Sequence, residues 1–130
     1  TKVAYKLLDP EQFRNMKILV VGGGDSAIEA ALTLSEEDGT EVSLSYRKPM
    51  FSRIKEKNQQ RIDQAIEQGR VRTYFESQAK EITPTEVVLS HGDKELTLPN
   101  DFVFVLIGGE APSRFLKSVG IEMVMKHGQR

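Results

Sequence analysis

Residues 17–21 (KILVV) form a short unbroken apolar run, rich in β-branched side chains and closed by Gly22-Gly23-Gly24. A run of this length without polar alternation predicts a strand buried on both faces. The period then changes. Ala27, Ala30, Ala31 and Leu34 recur at spacings of three and four, which predicts a helix over 26–35 with a small-residue face. Gly39 is the expected residue just past its end, and Glu36, Glu37 and Asp38 are expected to splay into solvent. Residues 40–46 alternate, with Val42, Leu44 and Tyr46 on one side of a second strand. Ile54, Ile62, Ala65 and Ile66 predict a helix over 53–68, with Ser52 as its N-cap and Gly69 past its end. A third strand follows at 71–75.

Beyond this the pattern shortens. Residues 79–83, 86–90 and 94–98 read as three strands of an antiparallel meander, and Gly92-Asp93 suits a two-residue hairpin loop. Residues 101–107 (DFVFVLI) predict another buried strand, and 113–119 a short helix. The lead-in at 1–15 reads as extended around Val3 to Leu8. Right-handed crossovers place the long strands in one parallel sheet, with 101–107 beside 17–21 on the side away from the second strand. The expected fold is therefore α/β: a Rossmann-like parallel sheet with flanking helices and a three-stranded antiparallel meander. The lead-in covers 1–15, the domain 16–122 and a tail 123–130. The C-terminal end of strand 17–21 becomes a topological switch point, where ligands sit in such sheets.

Composition narrows the chemistry. The 130 residues suffice for one domain. Eighteen basic residues against nineteen acidic ones leave a net charge of −1, which gives no bulk attraction to nucleic acid or to an acidic membrane. There is no cysteine, so the chain has no disulfide, no thiolate metal site and no dithiol redox pair. Neither His91 nor His127 has a motif context for a metal or a catalytic triad. No apolar run reaches membrane length, and the expected location is the cytoplasm.

Gly22-Gly23-Gly24-Asp25-Ser26-Ala27 fits G-x-G-x-x-A between a buried strand and a helix. The first glycine permits the tight turn. Gly24 lets a pyrophosphate approach the backbone, and Ala27 keeps helix close to strand. The amides opening the helix then face the phosphates, with Asp25 and Ser26 as helix caps. The bare alternative is a strand-to-helix turn without a ligand.

The end of the second strand bears on which dinucleotide. A unit binding NAD carries an acid there, on the ribose 2′-hydroxyl. Here Tyr46-Arg47-Lys48 stands in its place, Arg53 follows, and no acid occurs between Val42 and Lys55. Guanidinium and ammonium groups suit a 2′-phosphate, so NADPH is expected over NADH. The alternative is a solvated basic turn. The cations at 53–72 are interleaved with Glu56, Asp63 and Glu67, which reads as a solvated helix face rather than a nucleic-acid patch.

The stretches VVGGGDSAIEAALTL, SYRK and DFVFVLIGGEAP before FLKSVGIE resemble the NAD(P)H-binding domain of thioredoxin-reductase-like, FAD-dependent pyridine nucleotide-disulfide oxidoreductases. The resemblance runs from about Phe13 to Glu122. It implies that Gly22, Gly23, Gly24, Asp25, Ser26 and Ala27 form the pyrophosphate loop. It implies that Tyr46, Arg47, Lys48 and, one position off the family pattern, Arg53 hold the 2′-phosphate. Ile107 and Gly108 would pass near the dinucleotide. The family's C-x-x-C pair before the glycine loop is missing, which points away from thioredoxin reductase proper. The family's FAD domain is missing too, so the chain looks like the NAD(P)H domain alone, with FAD held by another domain of the same parent protein.

Two functions follow. The first is an NADPH-binding module that positions nicotinamide for hydride transfer to FAD elsewhere, with no catalytic acid or base of its own and no turnover alone. The second is a stand-alone NADPH-sensing regulatory domain without catalysis. Exposed apolar surface at Tyr5–Leu8 and Gly108–Phe115 would favour the first, and would also allow a homodimer.

Overall fold

A computed structural model of the chain describes residues 2–107 and the backbone of 120–121. The parallel sheet holds β1 (Val3–Ala4), β2 (Lys17–Val21), β3 (Glu41–Tyr46), β4 (Val71–Phe75) and β8 (Phe102–Val105), in the order β1-β8-β2-β3-β4. Helix α1 (Asp25–Ser35) links β2 to β3, and α2 (Glu56–Glu67) links β3 to the edge strand β4. A second sheet holds β5 (Ser77–Ile82), β6 (Glu86–His91) and β7 (Lys94–Pro99), joined by the parallel strand β9 (Gly120–Ile121) beside β5. The first three are the expected meander, with Gly92-Asp93 as the hairpin turn between paired His91 and Lys94. The predicted helix at 113–119 and Gly108 lie outside the described residues.

The unbroken apolar runs have a simple cause: both faces of the central strands are covered. Ile18, Val20, Val42, Leu44 and Phe104 pack with Ile28, Ala31 and Ile62 of the helices. Leu19, Val103 and Val105 point the other way, onto Ala79, Ile82, Val87 and Leu89 of the meander. The result is three layers: helices, parallel sheet, meander. Each fully buried Leu or Ile contributes about 1.5–3 kcal/mol. Phe13, from the 3-10 turn Pro10–Phe13, closes one end by packing edge-on to Phe104 at 5.1 Å between ring centres. Phe102 and Phe104 are thus packing residues, as their run implies.

Several sequence expectations shift. The lead-in pairs only at Val3–Ala4, bends at Tyr5–Lys6, and later enters the 3-10 turn that Pro10 opens. Strand 101–107 stops at Val105, although the Leu106 N–H still donates to the Val21 carbonyl at 2.9 Å. The second helix begins at Glu56 with Lys55 as N-cap, and Ser52 does not cap it. Arg53 has φ 59°, a left-handed backbone that no helix tolerates. Helix α1 ends at Ser35 with Glu36 as its C-cap, and Gly39 sits in the turn beyond it. Of the three acids there, Glu37 is held by Arg14 Nε at 2.9 Å rather than splayed. Among the described residues no helix is long and apolar enough to cross a membrane.

Candidate functional site

The strand registers assemble the site. Val21 stands opposite Ser45 on one side and Val105 on the other. The residues that follow, Gly22, Tyr46 and Leu106, therefore emerge together at the C-terminal edge of the sheet. The Gly22 N–H donates to the Ser45 carbonyl at 2.9 Å, which carries the β2–β3 pairing into the loop.

The three glycines do different work. Gly22 has φ 139°, and a Cβ there would lie 2.4 Å from the Leu106 carbonyl oxygen and 3.1 Å from the Ala27 Cβ. Only glycine fits, and Ala27, fully buried, holds α1 against the strand. At Gly23 a Cβ would meet ring atoms of Tyr46 at 2.5 Å. At Gly24 it would meet nothing within 4 Å. Gly24 is exposed with an extended backbone, φ −91°, and serves as N-cap of α1 without a side-chain cap bond. Its missing side chain leaves open space directly in front of the helix N-terminus. Ser26 is exposed at the same end. Open space before free helix amides fits a phosphate, since four N–H groups at a helix start lack helical partners and the dipole favours an anion.

Asp25 departs from expectation. It does not cap its own helix. Its Oδ1 accepts from the Lys55 N–H at 3.0 Å and from Asn58 Nδ2 at 2.8 Å. These two bonds, the Lys55 one foremost, hold its carboxyl below the usual carboxylate range. Asp25 thus ties the start of α2 to the glycine loop.

The turn between β3 and α2 carries the cations. Arg47, Lys48 and Arg53 are exposed, as is Met50. Tyr46 lies over Gly23, and its ring stacks on Phe51 at 6.0 Å, which in turn meets Phe75 edge-on at 4.9 Å. Phe51, 8 % exposed, anchors the middle of the turn. The Lys48 carbonyl accepts from the Glu76 N–H at 3.1 Å. Arg53 within the turn, and Glu76, which bonds to it from the end of β4, both hold left-handed backbone. Such conformations persist only where the surroundings enforce them. Ile107 follows β8 at the same edge and packs towards the meander.

The structure thus gathers Gly22–Ala27, Tyr46, Arg47, Lys48, Arg53 and Ile107 at one edge. Sequence reading missed Phe51, Glu76 and Asn58. A signal for Asn58 was present: it lies four residues from Ile54 and from Ile62, within the buried stripe of α2, where a polar residue needs a partner.

Comparison with known proteins bears on what this edge serves. The family described as pyridine nucleotide-disulphide oxidoreductase matches residues 1–129. The bacilliredoxin reductase Bdr of Bacillus subtilis is 32% identical over 98% of this chain and 40% of its own length. A ferredoxin–NADP reductase of Ignicoccus hospitalis is 33% identical over 93% of this chain and 40% of its own length. Among solved structures, the bacillithiol disulfide reductase Bdr of Bacillus cereus superposes with a TM-score of 0.80 at 27% identity, covering 96% of this chain and 39% of that one. The chain spans about two fifths of the length of these relatives.

Proposed function

This chain belongs to the pyridine nucleotide-disulphide oxidoreductase family, and from that premise we propose that it is the NADPH-binding module of a flavin-dependent oxidoreductase. The observation that carries the reading is the meeting, at one sheet edge, of an open helix N-terminus at Gly24 and a basic turn at Arg47–Arg53. In this reading the α1 amides and Ser26 hold the pyrophosphate. Arg47 and Lys48, with Arg53 behind them, hold the 2′-phosphate. No carboxylate of the turn stands in the way: from Ser43 to Ile54 the sequence has no Asp or Glu. NADPH bound here supplies hydride, and its acceptor is FAD on a domain outside this chain. The chain's own residues bind and orient; they transfer no proton. Catalysis at this edge is positioning.

The relatives' names fit that chemistry: the Ignicoccus protein is a ferredoxin–NADP reductase. Tyr5, Leu7 and Leu8 are exposed apolar side chains just past β1, which runs parallel to β8 and so leaves the sheet at the same edge. An apolar strip there suits cover by a flavin domain better than a free-standing sensor.

The test is calorimetric titration of the chain with NADPH and with NADH, together with an NADPH-oxidation assay. The reading expects NADPH to bind more tightly and no turnover without added flavin. Equal affinity for the two nucleotides would refute the 2′-phosphate assignment. Sustained turnover by the chain alone would refute the module.

A further inference from the structure

The basic turn is irregular, yet it is tied at both ends. Glu76 holds it at Lys48, and Asp25 holds it at Lys55. The second tie depends on a residue with no other evident task. Asn58, 3 % exposed, sits in the first turn of α2. Its Nδ2 donates to Asp25 Oδ1 at 2.8 Å and to Glu29 Oε2 at 2.9 Å. Both N–H bonds of one buried amide therefore go to two carboxylates of α1. Asp25 and Glu29 are four residues apart on that helix, where like charges repel. The Asn58 amide lies between them and satisfies both.

Asp25 also belongs to the glycine loop, one residue after Gly24. A bonded path thus runs from the loop that faces the pyrophosphate, through Asp25 and Asn58, to the start of α2 and the end of the basic turn. The spacing of two phosphates within one nucleotide is limited by its covalent structure. Two subsites on separate elements engage both phosphates at low ordering cost only when their own spacing is fixed.

We propose that Asn58 is a positioning residue for nucleotide selectivity: acting through Asp25, it fixes the basic turn relative to the glycine loop and so sets the preference for the 2′-phosphorylated nucleotide. This rests on the NADPH reading above. Asn58 touches no nucleotide in this account. Its effect is read in the ratio of NADPH to NADH affinity, because a merely structural role would weaken both alike.

The experiment titrates NADPH and NADH into the chain and its variants by calorimetry. Asn58→Leu keeps the number and branching of the side-chain heavy atoms and removes both donors. It is expected to lower NADPH affinity on the order of ten-fold, with NADH changed less than about two-fold. Asp25→Ala is expected to lower the ratio in the same way. Asp25→Asn keeps a carbonyl oxygen for the Lys55 and Asn58 donors and is expected to keep the ratio. Should Asn58→Leu fail to fold, the pair of Asp25 variants decides. The double variant Arg47→Ala with Lys48→Ala separates the two claims. If it leaves the ratio unmoved, the NADPH reading falls, and the role of Asn58 with it. If it abolishes the ratio while Asn58→Leu and Asp25→Ala retain it, the positioning role alone is overturned. Equal loss of both nucleotides in those variants overturns it as well.

Discussion

Gly22 and Gly23 are buried beneath Leu106 and Tyr46, and neither accepts a Cβ without displacing a neighbour. A few ångströms of sequence logic away, the turn from Arg47 to Lys55 is almost all exposed side chain, with Phe51 as its one buried anchor. The first region is a backbone device: its geometry is fixed by close packing, and the groups it offers a ligand in the proposed reading are amides. The second is a side-chain device: long cations on a turn held at its ends by Glu76 and Asp25. The contrast teaches which part of recognition is rigid and which is adjustable. In the proposed reading the amides would serve any pyrophosphate, whereas the cations would distinguish one nucleotide from another.

Substitutions in the two regions should therefore fail differently. The largest effect is expected at Gly22. A valine there meets a backbone carbonyl at 2.4 Å and sits at φ 139°. The loss should exceed about 3 kcal/mol, and circular-dichroism melting should show a chain that unfolds early or never folds. Gly24→Val sharpens the contrast between glycines two positions apart. Its backbone is extended and the space beside it open, so stability should fall by no more than about 1 kcal/mol. Affinity for both NADPH and NADH should nonetheless drop at least about 100-fold, since the side chain would fill the proposed phosphate position. Unchanged affinity would take the site away from this loop.

Removing Arg47 and Lys48 together should cost NADPH about 2–4 kcal/mol, or roughly 30- to 1000-fold. NADH should change less than about three-fold, and stability should change by less than about 1 kcal/mol, because both side chains are exposed. A smaller effect comes from salt. Raising ionic strength from about 0.05 to 0.5 M should shrink the NADPH preference several-fold, as screening weakens exposed charge contacts, while NADH affinity shifts less. The smallest is acid dependence at Asp25. Its carboxyl is held below its ordinary value of 3.8, so its bonds contribute fully above that pH and are lost as pH falls through the lower, folded value. In Asp25→Asn the acid limb of a melting-temperature profile should be flatter below about pH 4.

The same contrast explains what was legible in the sequence. KILVV and DFVFV announce buried strands because two covered faces demand unbroken apolar side chains. The alanine face of α1 announces close packing. The glycine spacing announces the loop because its constraint is local: a tight turn followed at once by a helix. The missing acid after Tyr46 is equally local. What stayed hidden was tertiary. Asp25 read as a cap of its own helix, since a carboxylate at a helix start has that use nearby; its actual partners lie thirty residues away. Ser52 read as the cap of α2 because nothing local reveals that Arg53 takes left-handed backbone. The resemblance assigns Tyr46 to the 2′-phosphate, and no pattern in the chain foretells that its ring also lies across Gly23. Nor does alternation in the meander say which sheet face it will cover.

The most direct test of the account is residue-resolved mapping of both nucleotides by amide NMR titration of the chain. The account predicts that NADPH and NADH both move the amides of Gly24, Asp25 and Ser26, and that only NADPH moves those of Arg47, Lys48 and Arg53. Perturbations at the opposite sheet edge, around Lys17 and Asn100, or an identical pattern for the two nucleotides, would contradict it.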